Sequence, residues 1–498
     1  MHRATSTPQP LVFYPRHRTR LARWGDWMAI HRRAILAIQW VIVLFYAVLV
    51  VAPAMLPTPH PDARLLSDNW GASSFVDAQT CLPGDSATPT LREKSPVQAC
   101  WYDRLVLLAQ YLFWGVWWPF VILSNMLLGR VWCGVLCPEG ALAEFASRHG
   151  RGGAIPRWMR WSGWPFVAFV LTTVYGQLIS VYEYPQAALL VLGGSTVAAV
   201  AVGWLYGRGK RVWCRYLCPV SGVFGLLARL SALEFRVDRS RWLSQGHGAP
   251  AVDCAPLLNV GKLNSMSQCH SCGRCSGHRG AVELVARSPN QEPLSGAALT
   301  RPEIALLYFG MLGVALAAFQ WTVNPWFVRL KLFSANWALE SGHAWLLSDS
   351  PSWWILTRQP QVNDVFNWLD GGLILGWILG GAALLGGVAL AATRASAAIA
   401  AVPWRRLASG WIPMAGLGLF LGLSMMTVTD FRIEGVWLGW VAPTRVALLA
   451  LAWCWSAWLG WRVCAGGASL ARRLLAMLPW SLALTVFAAN WTMVLLVW

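Results

Sequence analysis

The sequence predicts an all-α polytopic membrane protein of about nine transmembrane helices, with one small cytoplasmic segment rich in cysteine. Three observations predict it. The chain is 56% hydrophobic and only 12% charged, whereas a soluble domain carries roughly 25% charged residues. Nine apolar stretches reach the length of about 20 residues that a bilayer crossing needs. Lysine and arginine gather in alternate loops, the pattern of helices that cross and recross with their positive loops inside.

The elements follow in order. Residues 1–33 form a basic arm containing Pro8, Pro10 and Pro15, read as a flexible cytoplasmic tail. The first apolar stretch, 34–56, is too long for the core of a cleaved signal peptide and has no small-residue cleavage site, so it is expected to act as a signal anchor. Further spans are expected at 104–128, 161–182, 186–206, 302–323, 371–393, 409–429, 444–463 and 475–498. The third and fourth are separated only by Glu183-Tyr184-Pro185, a tight external hairpin. The chain then divides into an arm at 1–33, a four-helix membrane region at 34–206, a cytoplasmic segment at 207–301 and a five-helix membrane region at 302–498.

Most of the 40 lysines and arginines fall in the arm and the even-numbered loops. This puts the N-terminus in the cytoplasm and the C-terminus, after nine spans, outside. The net charge of +18 is spread along membrane edges and forms no concentrated patch, so no nucleic-acid partner is expected. The external loop 324–370 holds Trp326, Trp337, Trp345, Trp353, Trp354 and Trp368. Tryptophan favours the membrane interface, so this loop is expected to lie on the bilayer surface; a quinone pocket or partner dock is the alternative.

The cysteines divide by compartment. Cys81 and Cys100 lie in the external loop 57–103, where oxidising conditions favour a structural disulfide. Two unpaired thiols, or a metal site completed by another subunit, are the alternatives. Cys454 and Cys464 belong to the eighth span and are expected to be buried packing residues. The other eight all fall on the cytoplasmic side.

Cys269-His270-Ser271-Cys272-Gly273-Arg274-Cys275 is a C-x2-C-x2-C run. Zinc sites usually separate their cysteine pairs by a longer loop. Three cysteines at three-residue intervals instead wrap one corner of a cube, as in ferredoxins that hold a 4Fe–4S cluster. A complete run would continue with a fourth cysteine at 279, where this chain has Arg279. In two-cluster ferredoxins that fourth cysteine serves the other cluster, so the missing ligand is expected upstream, at Cys254. His270 or His278 is the alternative. The segment 207–301 is too small and too glycine-rich for a large apolar core, and a metal would help it fold. A turn-like linker, Gly246-His247-Gly248-Ala249-Pro250, precedes Cys254.

The phrase Arg130-Val131-Trp132-Cys133-Gly134-Val135-Leu136-Cys137-Pro138 recurs as Arg211-Val212-Trp213-Cys214-Arg215-Tyr216-Leu217-Cys218-Pro219. Cysteines four apart share one face of a helix. The proline after each pair suits the first turn of a following helix. Both copies follow even-numbered spans and face the cytoplasm, so antiparallel neighbours could bring Cys133, Cys137, Cys214 and Cys218 to one site. A second iron–sulfur cluster is the principal reading. A dithiol–disulfide relay, a soft metal such as copper and two unreactive bends are the alternatives.

On this W-C-x3-C-P repeat followed by a ferredoxin-type run, residues 100–290 resemble the membrane polyferredoxin family, which includes NapH-, NosR- and CcoG-type proteins. The resemblance implies 4Fe–4S binding and electron transfer at a bacterial inner membrane. Redox partner proteins are implied: a membrane or cytoplasmic donor, a quinol being one candidate, and a respiratory or reductase acceptor. A redox-active assembly or regulatory factor for a metalloenzyme is the alternative function. This chain departs from the family in carrying one incomplete run where two are common. Its external loop 57–103 is too short for the flavin-binding domain of NosR-type proteins, and its five C-terminal spans lie outside the resemblance. No histidine falls within an expected span, so no haem is expected. Charged residues deep in the spans are scarce, which argues against a proton pump or a charged-solute transporter.

Overall fold

A computed structural model describes residues 19–57, 59, 65, 101–244, 252–466 and 469–497. Among these, eight helices are long and apolar enough to cross a membrane: Arg32–Ala54, Tyr102–Leu128, Pro185–Tyr206, Arg301–Gln320, Trp368–Ala400, Trp404–Ile433, Val441–Cys464 and Leu470–Val497. The third expected span, 161–182, forms the shorter helix Trp164–Leu178. Its 15 residues rise about 22 Å, less than the hydrocarbon thickness of about 30 Å. Pro165 sits in its first turn, and Ser180, at φ +48°, turns the chain beyond its end. Hydropathy averaged across these breaks makes the apolar stretch longer than the helix it contains.

The arm also differs from expectation. Residues Arg20–Ile30 form a helix capped by Thr19, whose hydroxyl accepts from the Ala22 nitrogen at 3.2 Å. Its buried residues Ala22, Gly25, Asp26 and Ala29 recur at helical spacing and pack on a strand. Asp26 accepts from the Ser276 hydroxyl at 3.0 Å. The end of the arm is therefore a fixed part of the structure. Cys81, Cys100 and the linker 246–250 lie outside the described residues.

The chain forms two compact units. One is drawn from the described residues of Met1–Val43, Ser124–Ser162 and Ala198–Ala298. Its strands Leu233–Val237 and Val282–Ala286 pair antiparallel, with Phe235 opposite Leu284. They straddle the insertion that carries Cys254 and the cysteine run. Phe235, Val260, Met266, Val282 and Leu284 make the small core expected for so short a segment. Charge is buried here too. Arg287 donates to the carbonyls of Ala228, Arg229 and Ser231 and pairs with Glu292 at 2.7 Å. Such a pair is tolerated only because every group is matched.

The other unit is drawn from Leu44–Leu123, Gly163–Val197 and Leu299–Trp498. Trp411, Trp480 and Trp491 are buried in it. Lipid offers no hydrogen-bond partners, so buried polar groups must find internal ones. Trp411 Nε1 donates to Thr393 at 2.9 Å and Trp480 Nε1 to the Ser456 carbonyl at 3.2 Å. Gly410 and Gly460 flank the Trp480 ring, where a Cβ would stand 2.9 and 2.6 Å from it. Small residues here let the helices close around the indole. Between two spans, the helix Pro325–Glu340 exposes Trp326 and Trp337. Cys464 is buried as expected, but Cys454, on another face of the same helix, is exposed.

Candidate iron–sulfur site

All eight cysteines at 133, 137, 214, 218, 254, 269, 272 and 275 belong to the first compact unit. In the first copy of the repeat, Gly129 at φ +75° turns the chain after Leu128. Trp132–Leu136 makes one wide helical turn, and Cys137 leaves it extended at φ −76°, ψ 117°. Cys137 then caps the helix Pro138–Arg148, its Sγ accepting from the Gly140 nitrogen at 3.4 Å. In the second copy the turn is Val212–Tyr216 and the following helix Ser221–Ala228. In each pair only the first cysteine stands in the helical turn. The expectation of one shared helical face fails because the proline after the second cysteine cannot continue a helix, so Cys137 caps the next helix and Cys218 lies in the turn before it.

The two copies nevertheless meet. Cys214 and Cys218 share an apolar cluster with Ala143, from the helix that follows the first copy. Burial pushes the Cys214 thiol up to about 12, and Cys133 adds to the effect. Burial likewise drives the Cys137 and Cys218 thiols well above their ordinary value, with further contributions from cysteines of the opposite copy and from Glu139. Thiols held this way stay protonated until a metal displaces the proton.

The equivalent arginines of the repeat exchange partners. Arg211 donates to the carbonyls of Cys133 and Gly134 in the first copy. Arg130 donates to the Ser221 hydroxyl at 2.8 Å, which in turn donates to the Cys214 carbonyl at 2.8 Å in the second. Arg130 also reaches the Ser267 carbonyl at 2.9 Å, just before the cysteine run. Both guanidiniums are buried.

The run closes around its own hollow. Cys254, Cys269, Cys272 and Cys275 all line one cavity, together with His270, Arg274 and the apolar residues Phe235, Leu258 and Val260. The Cys269 Sγ accepts from the Ser271 nitrogen at 3.4 Å, the kind of N–H to sulfur contact that tunes iron–sulfur centres. Burial pushes Cys269 up to about 12 and raises Cys254 and Cys275, with neighbouring thiols contributing. Among the described residues no three His, Cys, Asp or Glu side chains gather to hold a single metal ion. All four cysteines line this one hollow, and an all-thiolate donor set is one that suits an iron–sulfur cluster. The His278 ring lies tilted beside Trp242, centroids 5.5 Å apart, and Arg279 lies over the same indole and donates to the Trp242 backbone carbonyl. His270 is buried with its Nδ1 unpartnered.

The two cysteine sets touch through backbone. A Cβ on Gly134 would overlap the His270 carbonyl oxygen and stand 2.8 Å from the Cys272 nitrogen. The second copy has Arg215 at the equivalent place, bonded to Gln268 at 3.0 Å.

Comparison with known proteins places this geometry. The model of a 4Fe–4S binding domain matches residues 111–156 and 189–238, and each stretch contains one copy of the Cys-x3-Cys-Pro repeat. These matches support the resemblance to NosR- and NapH-like membrane iron–sulfur proteins. The chain is 24% identical to YccM of Escherichia coli (strain K12), a protein named for electron transport, over 41% of this chain and 64% of the relative. It is 27% identical to the regulatory protein NosR of Pseudomonas aeruginosa, over 32% of this chain and 25% of the relative. NosR of Stutzerimonas stutzeri is 25% identical over 32% of this chain and 24% of the relative. The chain thus spans less than two thirds of each of these relatives. No solved structure matches.

The cysteine pattern gives no sign of the charged residues around this site. Glu144 pairs with Arg148, Arg211 and Arg274. Burial works to raise its carboxyl, but Arg211 and Arg274 outweigh burial and hold it at about 2. The arginines opening each repeat were in view as part of the phrase; their exchange between copies was not.

Proposed function

We propose that this protein transfers electrons through two 4Fe–4S clusters, one on Cys254, Cys269, Cys272 and Cys275 and one on Cys133, Cys137, Cys214 and Cys218. The single observation that carries this reading is the contact between two four-thiol sets, Gly134 of one against Cys272 of the other. The family match supports it, because each matched stretch carries one Cys-x3-Cys-Pro copy. A 4Fe–4S cluster supplies one-electron chemistry. The chain's own residues bury the thiols, donate N–H groups to sulfur and place Arg130 and Arg211 beside both sets. The distribution of lysine and arginine supports a cytoplasmic location for the site, at a bacterial inner membrane. A quinol or a cytoplasmic reductant would be the donor and a respiratory or reductase protein the acceptor.

A second reading is a redox-active assembly or regulatory factor for a metalloenzyme. The name of two relatives, regulatory protein NosR, favours it. Turnover with an artificial quinol separates the two: a regulatory factor is not expected to sustain it.

The test is anaerobic purification with iron, sulfide and zinc analysis and EPR of the reduced protein. About eight irons and eight sulfides per chain are expected. Stoichiometric zinc without sulfide would overturn the proposal.

A further inference from the structure

Arg211 is among the largest fully buried side chains of the protein. Its Nε donates to Glu144 at 2.9 Å, and its terminal nitrogens serve the Cys133 and Gly134 carbonyls. A neutral amide could hold two carbonyls. A guanidinium out of water needs a further reason, because desolvating a cation is costly. Its charge acts on Cys214 of the paired set and on Cys272 of the run. Geometry agrees: it bonds the Cys133 and Gly134 carbonyls of the paired set, and Gly134 abuts the Cys272 backbone of the run. Glu144 is shared among three guanidiniums, those of Arg148, Arg211 and Arg274, so one carboxylate leaves the group positive. Arg274 also lies 3.7 Å from Asp253, which is half exposed and pairs with Lys210 and Arg32. Glu139, bonded to Trp213 Nε1 at 3.3 Å, adds negative charge beside the paired thiols.

We propose that Arg211 jointly sets the reduction potentials of the two cysteine sets once they are loaded, and that Glu144 limits its effect. This rests on the two-cluster reading above. Four thiolates on a cubane leave it anionic, and each added electron makes it more so. A fixed buried cation beside both sets favours the reduced form of both, since net charge is one of the levers on iron–sulfur potentials. In so dry a site the interaction is little screened by salt. Arg211 is thus a positioning residue acting through charge, and its partner Glu144 acts with the opposite sign.

The experiment is an EPR-monitored redox titration of the full-length, anaerobically purified protein, with iron counted in every sample. Arg211→Gln is expected to shift the oxidised-to-reduced ratio of both clusters toward oxidised by about tenfold at fixed ambient potential, a fall of about 59 mV for a one-electron couple. Glu144→Gln is expected to shift it the other way. Arg211→Lys, which keeps the charge and loses the fork, is expected to stay near wild type. A purely structural role predicts that Lys follows Gln and that both neutral variants move alike. Retained irons with unmoved potentials in Arg211→Gln would overturn the proposal. If that variant loses iron, Glu144→Gln decides: a shift toward reduced supports the proposal, and no shift or the reverse sinks it. Failure of the underlying reading looks different, since wild type itself would then hold about four irons, or zinc.

Discussion

Gly134 and His270 meet with no room for a methyl group between them. Gly134→Ala must therefore push the two cysteine sets apart or distort one of them. The expected cost is about 1–3 kcal/mol, that of overpacking a filled site, with iron lost from at least one set. Thermal denaturation and iron analysis of the variant check this. Arg215→Ala, at the matching place in the second copy, removes one partly exposed hydrogen bond to Gln268 and is expected to leave the iron content unchanged.

Acid should reveal the Glu144 pairing. Its carboxyl is held at about 2, below the roughly 4.3 of a free glutamate. A depressed acid stabilises the fold above its unfolded pKa, and that stabilisation is lost as pH falls from about 4 toward 2. At 1.36 kcal/mol per unit the full effect is about 3 kcal/mol. Denaturation measured across this range should show the loss in wild type. Glu144→Gln, which leaves Arg211 buried without its partner, should start lower by roughly 3–5 kcal/mol and lack this component.

Cys254 and His278 compete for the role of fourth ligand to the run. Cys254 lines the hollow, while His278 stands against Trp242. Cys254→Ala is expected to remove about half the iron and sulfide, the share of one 4Fe–4S cluster of two, and His278→Ala to remove neither. Metal analysis of the two variants distinguishes them; equal loss from both would reverse the assignment.

Gly460→Val tests the membrane unit by itself. A side chain there collides with the buried Trp480 ring, so the helix bundle should lose about 1–3 kcal/mol. Thermal melting in detergent reads the loss, and the iron content should be unaffected.

The cysteines were legible in the sequence because their ligand chemistry is written in local spacing: three-residue steps in the run, four-residue steps twice over in the repeat. What surrounds them was not. Glu144 looks like an ordinary polar residue on a short helix, and nothing local says that three arginines will converge on it. Gly134 differs from Arg215 in the repeat, but the reason lies at His270, far along the chain. The stretch 161–182 was legible as an apolar helix but its ends were not, because average hydropathy does not register the turn at Ser180. The helix Arg20–Ile30 was hidden by the prolines that precede it and by its weak intrinsic apolarity.

Arg130 and Arg211 hold equivalent places in the repeat, and each reaches across to the other copy beside its first cysteine. Such reciprocal contacts are the mark of an isologous interface, where one surface patch binds its own image about a two-fold axis. Within one polypeptide each copy thus braces the other, and the two differ at Gly134, where the second copy carries Arg215 and where the first makes room for the run.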